Sequence, residues 1–193
     1  GDGYSGHRKI RLQGFEFNNK GTKLFLSWFG NGDTVKLLEY TLSTPYDITS
    51  LQLVTTAGID VGSSTAAKVD NSAGMRFSAN GKRIFIISHS GNSGISQISL
   101  TNAFDTSSFV LDGKFDFASP SNTQPRGVAF NPSGFKIYIG SGPGHGGVDQ
   151  IFEYNLVCPF TIFKGKCPSI TENNNRTGMA IAQIEIAKKT IDH

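Results

Sequence analysis

Charge is scarce in this sequence: Asp, Glu, Lys and Arg make up 17% of its 193 residues, against roughly a quarter in average soluble proteins. The net charge of +3 is spread along the chain. Its densest groups are Arg8, Lys9 and Arg11 near the start and Lys164, Lys166, Lys188 and Lys189 near the end. A nucleic-acid binder presents a concentrated basic stripe, and none is visible, so nucleic acid is not an expected partner. Long apolar runs are missing as well. Nothing approaches the roughly 20 apolar residues of a membrane-spanning helix, and no membrane span is expected. No signal peptide is legible, and a chain opening at Gly1 leaves export undecided. Cysteine is rare, with Cys158 and Cys167 alone. Lacking a nearby histidine, they do not make a zinc site. Two readings of the pair stay open: unrelated thiols, or a disulfide closing a short loop in an oxidising compartment.

Catalytic signatures are also lacking. Gly142-Pro143-Gly144-His145-Gly146-Gly147 is glycine-rich. It has neither the Gly-Lys-Ser/Thr ending nor the following helix of a phosphate loop. Asp33, Asp60, Asp70 and Asp149 do not form an Asp-x-Asp-x-Asp calcium loop. Calcium is therefore a weak candidate, and no cofactor or metal is expected. Asn175-Arg176-Thr177 fits the glycosylation acceptor pattern, which matters only in a eukaryotic secretory setting.

Glycine is abundant, at 23 residues, and Ser, Thr and Asn fill much of the remainder. Such a neutral, turn-rich chain suits an all-β protein with many short connections. Its internal repeat is the strongest signal. Gly14–Leu26, Gly74–Ile86 and Gly127–Ile139 align without a gap, about 53–60 residues apart. Each copy reads as a hairpin. A short apolar strand ends at Phe17, Phe77 or Phe130. A turn follows that closes on Gly21, Gly81 or Gly134, where glycine tolerates a positive φ. A basic residue then opens a second, continuously apolar strand: Leu24-Phe25-Leu26, Ile84-Phe85-Ile86 or Ile137-Tyr138-Ile139. Continuous apolar strands are buried on both faces.

A second element repeats downstream, at Glu39–Ile48, Gln97–Thr106 and Glu153–Ile162. It alternates, with Tyr40 and Leu42 on one face and Glu39 and Thr41 on the other. That pattern suits a third strand, further out and more exposed. A weaker fourth strand is expected around Leu51–Thr55 and Phe109–Leu111. Four strands per unit, at a period near the kelch value of roughly 50, match β-propeller blades. The expected fold is thus all-β: a three-blade half-ring over residues 1–165, with blades at roughly 10–56, 70–115 and 124–165. Glycine-rich loops at Gly30–Asp33, Ser90–Gly94 and Ser141–Gly147 join second and third strands. The third copy is expected to lose its fourth strand at the Cys158–Cys167 segment. Residues 166–193 read as a divergent tail. Within it Met179–Ile191 carries Ala180, Ile181, Ile184, Ala187, Lys188 and Ile191 at the spacing of an amphipathic helix, while Ile184 and Ile186 also alternate as in a strand.

The motifs Phe-Asn/Ser-x-x-Gly-x-Lys/Arg and Leu42-Ser43-Thr44-Pro45-Tyr46-Asp47-Ile48 resemble a family of β-propeller repeats. Those repeats occur in surface, secreted or phage-tail proteins of bacteria, many of them marine. The resemblance covers roughly residues 10–163 and implies an extracellular or cell-surface setting. It brings no catalytic residues with it.

Propellers close with four to eight blades, and three leave two apolar sheet faces uncovered. Self-association of two copies into a six-bladed ring would cover both, a longer parent chain would supply further blades, and a terminal helix would cap one face. Glu16 and Arg76 share one position of the innermost strand, with Ala129 as the third occupant. They are expected to meet, either as an inter-blade ion pair or as the polar floor of a ligand site. His89 and His145 lie in glycine-rich loops, either as exposed loop residues or as a metal ligand or general base. Trp28 is either blade packing or a stacking platform for a sugar. The favoured function is a non-enzymatic scaffold or recognition module binding protein or glycan. The alternative is a lactonase-like propeller hydrolase with a channel metal near Glu16, His89 or His145. The two differ in whether these groups converge on one rim.

Overall fold

Three antiparallel sheets, each running in sequence order, make up the computed structural model, which describes residues 11–29, 35–54, 59–60, 72–88, 93–116, 123–143, 150–163, 167 and 187–190. The first sheet holds β1 (Arg11–Phe17), β2 (Lys23–Phe29), β3 (Val35–Leu42) and β4 (Leu51–Leu53). A short β5 (Ile59–Asp60) continues along the free edge of β3, so the fourth strand is split. The second sheet is β6 (Ser72–Phe77), β7 (Arg83–Ser88), β8 (Gly94–Leu100) and β9 (Phe109–Asp116). The third is β10 (Thr123–Phe130), β11 (Lys136–Pro143), β12 (Gln150–Asn155) and β13 (Ala187–Thr190). The fold is all-β and propeller-like, and each sheet is one blade. No helix of the described residues is long and apolar enough to cross a membrane.

The turn chemistry repeats in each blade. Gly21, Gly81 and Gly134 take φ of 67°, 69° and 74°, in the left-handed region open to glycine. In the first turn the Asn18 carboxamide oxygen accepts from the Thr22 and Lys23 amides. Asn131 does the same for Lys136, and the Ser78 hydroxyl accepts from the Arg83 amide. An aromatic ring lies on each turn glycine: Tyr46, Phe104 and Phe160. Its own amide donates to the carbonyl of that glycine, at 2.9, 2.8 and 2.8 Å. This explains why the Leu42–Ile48 motif and the hairpin motif recur as a pair, since one locks the other.

Apolar side chains fill the spaces between blades. Phe25, Leu37, Met75, Phe77, Ile84 and Ile86 belong to the layer between the first and second. Phe85, Ile87, Ile95, Val128, Phe130 and Ile139 belong to the layer between the second and third. The middle blade is buried on both faces of β7 and β8, as the continuous apolar runs predict. Inner strands approach closely. A Cβ on Gly14 would lie 2.9 Å from the Met75 nitrogen, and one on Gly74 would lie 3.3 Å from the Arg126 oxygen.

Four expectations are corrected. The third blade does not lose its fourth strand, because β13 from the tail pairs antiparallel with β12. Residues 187–190, placed in an amphipathic helix by their spacing, are strand. The free edge of β12 offers a row of backbone partners, and that tertiary demand overrides a local helical pattern; the remainder of 179–191 lies outside the described residues. The third strand of the middle blade is not the exposed one its alternation suggests: β8 buries both faces because that blade is sandwiched by its neighbours, and Glu39 of β3 is buried against the second blade. The fourth strand of the middle blade also runs to Asp116, past the expected Leu111.

Candidate functional site

Glu16 and Arg76 are brought together at the end of the blades where first strands turn into second strands. Both sit one residue before a conserved-in-repeat phenylalanine, opposite Phe25 and Phe85. Side-by-side packing of β1 and β6 therefore sets them face to face. The Arg76 guanidinium lies 3.4 Å from Glu16 Oε1. The Phe77 amide donates to Glu16 Oε2 at 2.7 Å. Glu16 is thus an inter-blade link, with both oxygens engaged. Burial raises its pKa above the usual carboxylate value, against the opposing pull of the Phe77 amide and the Arg76 charge.

Beside this pair runs a groove of about 210 Å³. Phe17, Phe77, Phe104, Phe130 and Phe160 contribute apolar walls, and Asn19 and Asn131 add amides. Among the described residues that line it, Glu16 is the one carboxylate and none is a histidine. The groove offers a half-exposed guanidinium, amides and aromatic surface. That set can hold a polar group with apolar flanks. Among the described residues it holds no paired acid and base.

Trp28 sits at the opposite end of the blade, five positions along β2 from Lys23. Its half-buried ring has the Lys36 ammonium 5.9 Å from its centre. Its indole nitrogen is buried without a hydrogen-bond partner among the described residues. Ser88 and Ser141 hold the same register in the other blades, and their hydroxyls are likewise unpartnered among the described residues. His89 and His145 lie outside the described residues, as do Asp33, Asp70, Asp149 and Asn175. His89 follows Ser88 in the chain. Ser88 is roughly 10 Å along β7 from Phe85, the partner of Arg76, at about 3.3 Å per residue. Asp60 is in β5. Among the described residues no three His, Cys, Asp or Glu side chains gather into a metal-binding group. Cys158 and Cys167 form a disulfide with Cα atoms 5.8 Å apart.

One buried inter-blade carboxylate escaped sequence reasoning. Glu39 Oε2 accepts from the Thr106 amide at 2.9 Å and the Thr106 hydroxyl at 2.8 Å, across to the next blade. Its Oε1 meets the Lys23 ammonium at 2.6 Å. Lys23 in turn donates to the Phe104 carbonyl at 2.7 Å. Gln97, in the same register, accepts from the Ile162 amide at 2.7 Å. A long acceptor at Glu39, Gln97 and Glu153 was the available signal.

No family model and no curated protein sequence matches the chain. Solved structures do. A provisionally assigned 6-phosphogluconolactonase from Bacteroides uniformis ATCC 8492 shares 16% identity over 76% of this chain and 37% of its own, with a TM-score of 0.50. The β-propeller domain of Myceliophteria thermophila Cps50 (Swd1) shares 10% identity over 76% of this chain and 40% of its own, with a TM-score of 0.44. The chain therefore spans well under half of each, and the likeness concerns fold alone.

Proposed function

We propose that the chain is a non-enzymatic recognition or scaffold module, an incomplete propeller that holds a protein or glycan ligand at the groove beside Glu16 and Arg76. One observation carries this reading: among the described residues, the two carboxylates that stand between the first and second blades are already committed to holding them together. Glu16 links to Arg76 and the Phe77 amide, and Glu39 links to Thr106 and Lys23. A general base must be free to reach a substrate proton. The Cys158–Cys167 bridge supports an extracellular or surface setting, where disulfides persist.

Lactone hydrolysis is the second reading, and the fold shared with the Bacteroides uniformis protein favours it. Fold does not carry activity by itself. The deciding experiment measures hydrolysis of 6-phosphogluconolactone by the parent and by Glu16→Gln, beside a glycan array probed with the same preparations. The expected result is no hydrolysis above the spontaneous rate. Hydrolysis by the parent that drops at least tenfold in Glu16→Gln would overturn the recognition reading.

A further inference from the structure

Neighbouring blades meet through one junction design, used twice. At the first junction the Phe25 ring packs on Phe77, with centroids 4.6 Å apart. Leu37 is buried beside it, and Glu39 receives the Thr106 amide. At the second, Phe85 packs on Phe130, also at 4.6 Å. Ile95 is buried beside it, and Gln97 receives the Ile162 amide. Strand register makes these sets equivalent, since Phe25 pairs with Glu39, Phe85 with Gln97 and Tyr138 with Glu153.

Half of a third junction stands on each outer face. The third blade offers Tyr138, Ile151 and Glu153 in the donor register. Ile151 is 42% exposed where Leu37 and Ile95 are buried. The Glu153 side chain is 28% exposed where that of Glu39 is 3%. A Cβ on Gly127 would meet nothing within 4 Å, where Gly14 and Gly74 touch the next inner strand. The first blade offers the receiving set. Phe15, Phe17, Tyr46 and Ile48 match Met75, Phe77, Phe104 and Thr106 position for position. Phe15, Tyr46 and Ile48 are 63%, 58% and 64% exposed. Ile48 opens a 3-10 turn, so its N–H has no acceptor within that turn.

We propose that the outer face of the third blade docks on the outer face of the first blade of a second copy of this chain. Two such seams, related by a two-fold axis, close six blades into one ring, a number inside the range that propellers use. At each seam Tyr138 stacks on the partner's Phe17, and Ile151 packs beside it. Glu153 accepts the amide of the partner's Ile48, as Glu39 accepts that of Thr106. Lys136, paired with Glu153 in the same blade, donates to the carbonyl of the partner's Tyr46, as Lys23 does to that of Phe104. A second copy fits because both halves of the junction are carried on one chain, in the hand and register that already repeat within it. The inference deepens the scaffold reading by naming the partner and the contact that joins it.

Molar mass by light scattering behind a sizing column, across a hundredfold dilution, tests the ring. The expected mass is twice 20.8 kDa, and Phe15→Glu should reduce it to 20.8 kDa. A monomeric parent, an open series of higher masses, or a Phe15→Glu variant that stays dimeric would overturn the ring. The seam is tested by dissociation constants. Glu153→Gln should stay within a few-fold of the parent, since Gln97 serves the same role in the second junction. Glu153→Leu and Ile48→Pro should each weaken association about tenfold to a hundredfold per seam. Proline suits the first position of the turn, and Asp47 before it is already extended, with φ −91° and ψ 101°, close to the conformation that a residue preceding proline takes. Thermal melts of each variant establish that it folds. Unchanged affinity in Glu153→Leu would overturn the seam while leaving the ring standing. Lactone hydrolysis by the parent would sink the recognition reading without touching either.

Discussion

Glu39→Ala should be among the most damaging single substitutions of a charged residue in this protein. The carboxylate is buried between the first and second blades. Its removal leaves the Thr106 amide and hydroxyl without their acceptor and strips Lys23 of its 2.6 Å partner. A buried donor left unpaired costs about 1–3 kcal/mol. Breaking a buried ion pair from one side costs about 3–5 kcal/mol, and the partial exposure of Lys23 places this pair at the lower end. The two figures overlap, because they count the same stranded groups, so the expected loss is about 3 kcal/mol. For a chain of this size that lowers the melting temperature by about 6–12 °C. Glu39→Gln should lose about half as much. It keeps an acceptor for Thr106, as Gln97 does for Ile162, and gives up the charge opposite Lys23. Urea melts with an unchanged m-value report the difference directly. A loss below about 1 kcal/mol in Glu39→Ala would show that water or a shifted side chain satisfies Thr106, and that the inter-blade link is not what holds the two blades in register.

Glu16 gives a pH-dependent expectation. Burial holds its pKa above the ordinary 4.5, so its proton binds more tightly in the folded than in the unfolded chain. Its contribution to stability is full below that ordinary value and is lost as pH rises through the raised one. Glu16→Gln, which can still accept from the Phe77 amide, should match or exceed the parent at neutral pH, and the gap should close in acid; a parent that is the more stable at neutral pH would refute this. Gly81→Ala places a Cβ 2.2 Å from the Phe104 ring at φ 69°. The left-handed strain and the overlap together should cost about 2–4 kcal/mol in a urea melt, and a loss under 1 kcal/mol would mean that the aromatic lock is loose. Reduction of Cys158–Cys167, or the double serine variant, should cost about 2–3 kcal/mol for so short a loop. Equal melting temperatures with and without reductant would show that the bridge constrains nothing that unfolds with the blades.

The hairpins, their glycine turns and the pairing of Glu16 with Arg76 were legible in the sequence, because each depends on local chemistry repeated at a fixed period. A turn that needs positive φ calls for glycine, and the continuous apolar run Ile84-Phe85-Ile86 signals a strand buried on both faces. Three copies that align without a gap made these signals add. What sequence reading missed lay between repeats. Glu39 looked like the outward residue of an alternating strand, and only the sandwiching of one blade by the next buries it against Thr106. The fourth strand of the third blade could not be found by period. It comes from Ala187–Thr190, where spacing suggested a helix, and backbone pairing to the edge of β12 takes precedence over a pattern of side chains. Local sequence therefore determined what each blade is made of. Tertiary packing decided which of its faces are buried, which charges are committed, and which segment completes the last sheet, because burial and edge pairing are properties of neighbours that no single stretch of chain contains.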